Sequence, residues 1–265
     1  ECSDARRIKA IEDYHRIEYE LRQLDARTIP HIKLFENVSS VLWSQVFSSF
    51  DVEDLWPKHG PGATSEGYTI NSRRMFQQWY HQLEAFFPIL GFALPIGCEQ
   101  QFVEKFVRFE PVSTVRVVTV PKTLKGPRVI SVESAAMTYC QQSLLAEITR
   151  RIEDHPLTRE SIRFSDQSAN ACEARKGSVS GRTGTIDLKS ASDRVHNDLV
   201  RSMLKAVPHL SDMVQACRST RAHTELGQFD LHKFASQGSS LCFPIEAMVF
   251  YTIIIAYYCR QKGVL

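Results

Sequence analysis

The segment Thr185–Asp193 (TIDLKSASD) constrains the fold of this chain most, because it predicts a strand that ends at the carboxylate of Asp187. Its first two residues are β-branched and favour a strand, and small residues then lead to Asp193 and a helix-like pattern over residues 195–207. A carboxylate at a strand end, with a second one nearby, suits divalent-metal and ribose binding. An aspartate at such a junction is also often a helix N-cap, so this segment alone leaves both roles open.

Composition is that of an ordinary globular protein: 265 residues, of which 43% are hydrophobic and 23% charged. The formal net charge is only +2, so affinity for nucleic acid would have to come from a local patch. The cysteines form no C-x-x-C pair and the histidines no H-E-x-x-H, and we expect reduced, mostly buried thiols in a cytosol-like compartment. Because the start is polar and lacks Met, we expect no signal peptide there and expect that the chain was cut from a longer protein.

Hydrophobic periodicity predicts an α+β fold, with a helix-rich part first and a mixed part later, as one continuous body. Helices are predicted over residues 3–25, 32–50, 71–87, 134–153, 161–176, 195–207, 209–218 and 241–261. Strands are predicted over residues 112–120, 128–132 and 185–187, with a hairpin over 219–233. The most apolar stretch, residues 247–259, is too short to span a bilayer, so we expect a buried helix there.

Four cations and no acid lie between Arg116 and Arg128, where two predicted strands flank a turn. Lys122 and Lys125 complete this set, so the positive groups would converge at one β-turn. Recognition of a polyphosphate needs several positive groups aimed at one point. A solvated basic hairpin without a ligand is the alternative.

Ser236 and Gly238 stand just before the last predicted helix. A glycine lets the backbone approach a ligand closely, and the amino end of a helix attracts anions and polar sugar groups. An ordinary helix start with serine capping is the alternative. The segment Gly60–Gly67 has the glycine spacing of a P-loop but lacks its lysine, and no G-x-S-x-G elbow supports serine hydrolase chemistry.

Taken together and in this order, three segments resemble the motifs of RNA-dependent RNA polymerases. Residues 120–133 (VPKTLKGPRVISVE) resemble motif F, at which nucleotides enter; residues 185–193 resemble motif A; residues 236–238 with their helix resemble motif B. Among these polymerases, the chain resembles the replicases of leviviruses, the positive-strand RNA bacteriophages. The resemblance runs from about Pro57 to the end, whereas the first fifty residues share only helical character.

The resemblance implies a right-hand polymerase fold that carries out template-directed nucleotidyl transfer with two Mg²⁺ ions. Residues 1–110 would form a helix-rich N-terminal and fingers region, residues 111–180 the fingers with motif F, and residues 181–265 a partial palm. The implied partners are template RNA, nucleoside triphosphates and host translation factors, in the cytoplasm of a bacterial host and without a membrane.

The resemblance also implies residue roles. Asp187 would be the catalytic metal ligand of motif A, and Asp193 would sense the 2′-hydroxyl of the incoming ribose. Ser236 and Gly238 would shape the pocket around the template base and sugar. The cations that would neutralise the triphosphate are Lys122, Arg128 and Lys125. The Gly-Asp-Asp of motif C is missing, so we expect it downstream and expect this fragment to be inactive alone.

Two other functions stay open. A reverse transcriptase shares the palm, but it usually places an aromatic residue shortly after the motif A aspartate to exclude the 2′-hydroxyl, and residues 188–193 contain none. A non-catalytic RNA-binding domain could use residues 116–128 as its basic patch. Such a module would gain nothing from Asp187 and Asp193, which repel phosphate unless a metal is present.

Overall fold

The computed structural model describes residues 3–69, 72–94, 97, 100–123 and 126–264. Helices account for 52% of the chain and strands for 13%, which confirms a mixed α+β composition. The α-helices are α1 (Asp4–Arg22), α2 (Ile32–Val46), α3 (His81–Glu84), α4 (Ile89–Phe92), α5 (Gln100–Phe106), α6 (Ala135–Asp154), α7 (Ser168–Ser180), α8 (Asn197–Met203), α9 (Pro208–Ala216) and α10 (Cys242–Lys262). The strands are β1 (Gln78–Tyr80), β2 (Arg108–Glu110), β3 (Thr114–Thr123), β4 (Gly126–Val132), β5 (Arg221–Thr224) and β6 (Gly227–Asp230).

Strands β3 to β6 form one four-stranded sheet in the order β4-β3-β5-β6. The pairs β3–β4 and β5–β6 are antiparallel hairpins, whereas β3 and β5 run parallel, with Val115 opposite Ala222. Both hairpins are confirmed predictions, since β-branched runs and turn residues mark them in the sequence. The sheet therefore presents the basic turn between β3 and β4 at one of its ends.

Helix α1 covers one face of this sheet and closes a small core there. Its buried positions recur every three or four residues, so that Tyr14 faces Val115 and Val117 of β3. Ala222 and Leu231 complete this core. The first helix, which the resemblance matched only in general character, thus packs directly onto the strands that carry the basic turn.

The larger core surrounds helix α6. Ser134 caps this helix by accepting a hydrogen bond from the Met137 backbone N–H. On the inner side of α6, apolar residues recur at helical spacing from Met137 to Ile152 and are fully buried, as are Trp43 of α2 and Trp79 of β1. The principal members are Trp43, Trp79, Leu83, Met137, Leu144, Ile148, Ile152, Met203, Met213 and Ile245.

The helix predicted over residues 71–87 is wrong in its described part. That part contains a 3-10 helix (Ser72–Arg74), strand β1 and only one turn of helix in α3. Trp79 and Tyr80 are buried and pair in parallel with Phe109 and Glu110 of β2. Aromatic residues favour strands, and a partner strand thirty residues away outweighs the local helical pattern.

The helix predicted over residues 161–176 begins later, at Ser168 of α7. The carboxylate of Glu153, near the end of α6, accepts hydrogen bonds from the backbone N–H groups of Phe164 and Ser165. These bonds hold the preceding residues as a loop. The helix start was mispredicted because a distant side chain supplies the partners of this backbone.

Helix α10 matches its predicted bounds closely, but it is only partly buried. By length and composition alone it could cross a bilayer, and 39% of its apolar window is buried inside the protein. It packs against α2, α6 and α8, while Phe243, Ile254 and Tyr258 remain exposed. The expectation of a buried helix is therefore wrong for this exposed side.

Candidate functional site

The basic turn places two of its predicted cations in solvent. Lys122 and Arg128 lie on the two arms of the β3–β4 hairpin, and both side chains are exposed. Arg128 pairs across the hairpin with Val120, and Arg116 with Val132, so both arginines project from the same face. Among the described residues, none forms an ion pair with these three cations. Their charges are therefore available to an external anion, while Lys125 lies outside the described residues.

The strand predicted to carry Asp187 does not form. Residues 183–188 have no regular secondary structure. Asp187 is exposed, and so is the neighbouring Ile186, which is 87% exposed. A strand needs a neighbour that takes its backbone hydrogen bonds, and none of the described strands pairs with this segment. Asp187 is not an N-cap either, because the next helical turn begins at Ser192. Within the described residues, the structure does not bring this carboxylate together with the other candidate residues.

Asp193 occupies a different setting, in the 3-10 helix Ser192–Arg194. Its Oδ1 accepts a hydrogen bond of 3.0 Å from the ammonium of Lys233, and 21% of its side chain is exposed. It does not cap α8, because His196 is the N-cap and accepts from the Asp198 N–H. The N-cap alternative therefore fails for Asp193, whose partner comes from the segment that precedes α10.

Lys233 is fully buried beside two carboxylates and the aromatic ring of Tyr14. Its Nζ lies 3.4 Å from Oε1 of Glu18 and 3.6 Å from the ring centroid of Tyr14, in addition to Asp193. Burial lowers the pKa of Lys233, but the attraction of Tyr14, Asp193 and Glu18 outweighs burial and raises the pKa above its usual value. The ammonium therefore stays charged inside the protein.

Tyr14 connects this cluster to Ser236. The Tyr14 hydroxyl lies 2.8 Å from the Ser236 hydroxyl and 3.1 Å from that of Ser131 on β4. The predicted residues Asp193 and Ser236 are thus joined through Lys233 and Tyr14. Sequence reasoning missed Tyr14, Glu18 and Lys233. The signal that could have found the first two is their position on the buried, apolar side of α1.

Gly238 fits closely against the sheet. Its φ is +122°, and an added Cβ would lie 1.9 Å from the carbonyl oxygen of Ser131. The Ser131 N–H in turn donates to the carbonyl oxygen of Gln237 at 2.8 Å. The backbone before α10 is therefore fixed to β4, the strand that also carries Arg128.

Buried polar residues beneath this region hold its backbone in place. Arg218 donates to the carbonyl oxygens of Leu231, Lys233 and Phe234. Burial lowers the pKa of Arg218 to about 10, which leaves it charged at neutral pH. Burial also raises the pKa of Glu133 to about 7, although its carboxylate accepts a hydrogen bond from Ser219.

The glycine-rich segment Gly60–Gly67 has a structural role. The Ser65 N–H donates to the carbonyl oxygen of Glu133, and the carboxylate of Glu66 accepts from the Ala135 N–H at the start of α6. An acidic side chain at a helix amino end satisfies its free N–H groups. This agrees with the exclusion of a P-loop.

In the part of the chain that the structure describes, no three His, Cys, Asp or Glu residues are grouped so as to hold a metal ion. Asp187 is an accessible hard oxygen donor, which suits Mg²⁺. Mg²⁺ usually binds one or two protein carboxylates together with waters and substrate phosphates. The donor set therefore fits an ion that a nucleotide brings with it, and not a preformed cage.

Comparison with known proteins places the chain among phage RNA replicases. The model of the family described as RNA replicase, beta-chain, matches residues 93–261. The RNA-directed RNA polymerase beta chain of Escherichia phage MS2 is 34% identical over 140 residues, which cover 53% of this chain and 24% of that protein. The corresponding protein of Enterobacteria phage fr is 33% identical over 140 residues, with the same coverage. The RNA-directed RNA polymerase subunit beta of Escherichia virus Qbeta is 26% identical over 175 residues, covering 62% of this chain and 28% of that protein.

The chain spans about a quarter of the length of these curated relatives. The family match includes the basic turn, Asp187, Asp193 and the residues before α10, but not helix α1. Because the match extends over more than half of the chain, this protein belongs to the RNA replicase beta-chain family.

Proposed function

We propose that this chain is part of an RNA-directed RNA polymerase, in which it contributes fingers elements and the first part of a right-hand palm. The observation that carries the proposal is the Asp193–Lys233 ion pair, within the matched residues 93–261. This pair joins Asp193, in the segment that resembles motif A, to Lys233, which stands forty residues later and just before the segment that resembles motif B. The proposed division is residues 1–110, 111–180 and 181–265.

The substrates of the proposed enzyme are template RNA and nucleoside triphosphates. Lys122 and Arg128, which form no ion pair within the described residues, bind the triphosphate, because free cations at one turn form charge-assisted bonds to phosphate oxygens. Lys125 of the same turn, which lies outside the described residues, completes this proposed set. Asp193 accepts a hydrogen bond from the 2′-hydroxyl, and Ser236 and Gly238 line the sugar and template side. Asp187 would hold Mg²⁺, which would supply charge neutralisation at the phosphates of the nucleotide.

The proposed reaction is an in-line attack of a primer 3′-hydroxyl on the α-phosphate, with release of pyrophosphate. Bound Mg²⁺ would stabilise the charge on the attacking and leaving oxygens. The residues of this chain orient the reactants: the basic turn fixes the triphosphate, and Asp193 fixes the ribose. Such positioning accounts for most of the catalysis of phosphoryl transfer. The phage relatives point to a bacterial cytoplasm, and host translation factors remain partners proposed from resemblance alone.

A non-catalytic RNA-binding protein is the second candidate. The exposed cations Lys122 and Arg128, which have no ion-pair partner in the part of the chain that the structure describes, favour it, since they would bind a phosphate backbone equally well. It gives no role to the carboxylate of Asp193, which is held at the surface by a buried lysine. The two candidates differ in whether carboxylates are required.

The test is RNA-templated incorporation of labelled ribonucleotides by the complete replicase that contains these residues, with the variant Asp187→Asn. We expect activity to fall well below a tenth of wild type, with unchanged circular dichroism. Asp198→Asn is the matched control, because Asp198 is also an exposed aspartate and should retain activity. Retention of more than a tenth of the activity by Asp187→Asn would refute the metal role. A wild-type preference for deoxyribonucleotides would indicate a reverse transcriptase.

A further inference from the structure

A cluster of buried charge lies between helix α1 and the segment before α10. Lys233 has no exposed surface, and only 4% of Glu18 is exposed. Burying charged groups is unfavourable unless each is paired and hydrogen-bonded. Here the lysine lies between two carboxylates, Glu18 at 3.4 Å and Asp193 at 3.0 Å. The charges of the cluster are therefore paired with one another. Asp193 stands at the end of the cluster that faces solvent.

Helix α1 supplies the inner side of this cluster. Glu18 uses its second oxygen, Oε2, to accept a hydrogen bond of 2.7 Å from the His232 N–H, so it fixes the backbone that carries Lys233. The ring of Tyr14 lies against the ammonium, and its hydroxyl reaches Ser236. Removing either α1 residue would delete one of the contacts that hold the ammonium beside Asp193.

Asp193 is the member of the cluster that can reach a ligand. Lys233 holds Oδ1, whereas Oδ2 has no hydrogen-bond partner within the described ranges of the chain. A carboxylate held by one oxygen presents the other in a fixed direction. Fixed orientation matters because a donor on a ligand then meets an acceptor that is already in place.

We propose that Lys233 is a positioning residue that orients Asp193 toward the ribose. Tyr14 and Glu18 of α1 hold Lys233 in place for this role. The inference rests on the proposed function. Sugar selectivity would then depend on a helix outside the family match at residues 93–261. A site that hydrogen-bonds a hydroxyl discriminates against the analogue without it, because its polar group is left unpaired. A carboxylate that can turn away loses this discrimination.

The first experiment measures the dissociation constants of ATP and 2′-dATP for the complete replicase that contains these residues, in the presence of Mg²⁺. Wild type should prefer ATP by about tenfold or more, as a hydrogen bond to a charged acceptor implies. The double variant Lys233→Met with Glu18→Gln keeps the net charge of the cluster and should reduce this preference to within about twofold. If the cluster had only a structural role, the double variant would bind both nucleotides more weakly, and the ratio of their dissociation constants would stay unchanged.

The matched control is Thr252→Val, which removes a buried hydrogen bond from Trp43 without touching the cluster. It should keep the wild-type ratio. A double variant that retains the full ATP preference overturns the inference while leaving the proposed function standing. Wild-type protein that binds neither nucleotide, or both equally, refutes the proposed nucleotide site, and the inference with it.

A second measurement uses NMR on the wild-type protein, so it does not depend on a variant that could unfold. Lys233 is the one buried lysine among the described residues, so its side-chain ¹⁵N resonance in lysine-labelled protein should be protected from exchange. ATP should shift this resonance, since the ribose would contact Asp193, whereas 2′-dATP should shift it much less. Equal shifts by both nucleotides would overturn the role of Lys233.

Discussion

The substitution Gly238→Ala tests how closely the segment before α10 fits the sheet. The new Cβ would lie 1.9 Å from the Ser131 carbonyl oxygen, and real Cβ atoms essentially never come within 3.0 Å of such an atom. Either the backbone of β4 or that of the segment before α10 must therefore move by roughly 1 Å. Overpacking of this kind destabilises a protein by about 1–3 kcal/mol. The positive φ of +122° adds about 1–3 kcal/mol of backbone strain for any residue with a side chain.

The hairpin glycine Gly227 provides a matched control. Its φ is +121°, but nothing lies within 4 Å of an added Cβ, so Gly227→Ala introduces the strain without the clash. Gly238→Ala should thus lower the free energy of unfolding by about 1–3 kcal/mol more than Gly227→Ala. For a chain of this size, each kcal/mol lowers Tm by roughly 2 °C.

Thermal and urea unfolding followed by circular dichroism would measure this difference. Hydrogen exchange of the Ser131 amide gives a local readout, because this N–H donates to Gln237. It should accelerate in Gly238→Ala and not in Gly227→Ala. Equal destabilisation by the two substitutions would refute the close contact between β4 and the segment before α10.

Two further predictions concern charge. In the complete replicase, Lys122→Ala or Arg128→Ala should raise the KM for nucleotide about ten- to a hundredfold with little change in RNA affinity. The exposed control Lys205→Ala should change neither quantity. A collapse of RNA binding at constant KM would instead identify a template contact. Burial raises the pKa of Glu133 from 4.5 to about 7, so its contribution to stability is fully present below pH 4.5 and is lost as the pH rises through about 7. The unfolding free energy of wild type minus that of Glu133→Gln should therefore fall by roughly 3 kcal/mol between pH 4.5 and 8, and a flat difference would show that Glu133 is not desolvated.

The sequence by itself determined the elements whose signals are local. The two β-branched runs around the basic turn, the hairpin around Gly227 and the long helices α6 and α10 all form close to their predicted bounds. Strand alternation, turn residues and helical spacing act within a few residues, so they can be read along the chain. The order of the motif-like segments likewise sufficed to indicate the replicase family.

Only the tertiary structure decided where partners from distant parts of the chain meet. The pattern at residues 185–187 predicts a strand, but no described strand pairs with it, and Asp187 remains in an exposed loop. Tyr14 and Ser236 are 222 residues apart in sequence, yet their hydroxyls lie within hydrogen-bond distance. Pairing of strands and satisfaction of buried charge depend on which groups share a desolvated space, and a local pattern does not encode that choice. For this reason the sequence predicted a role for Asp193, whereas only the fold revealed the buried lysine that holds its carboxylate.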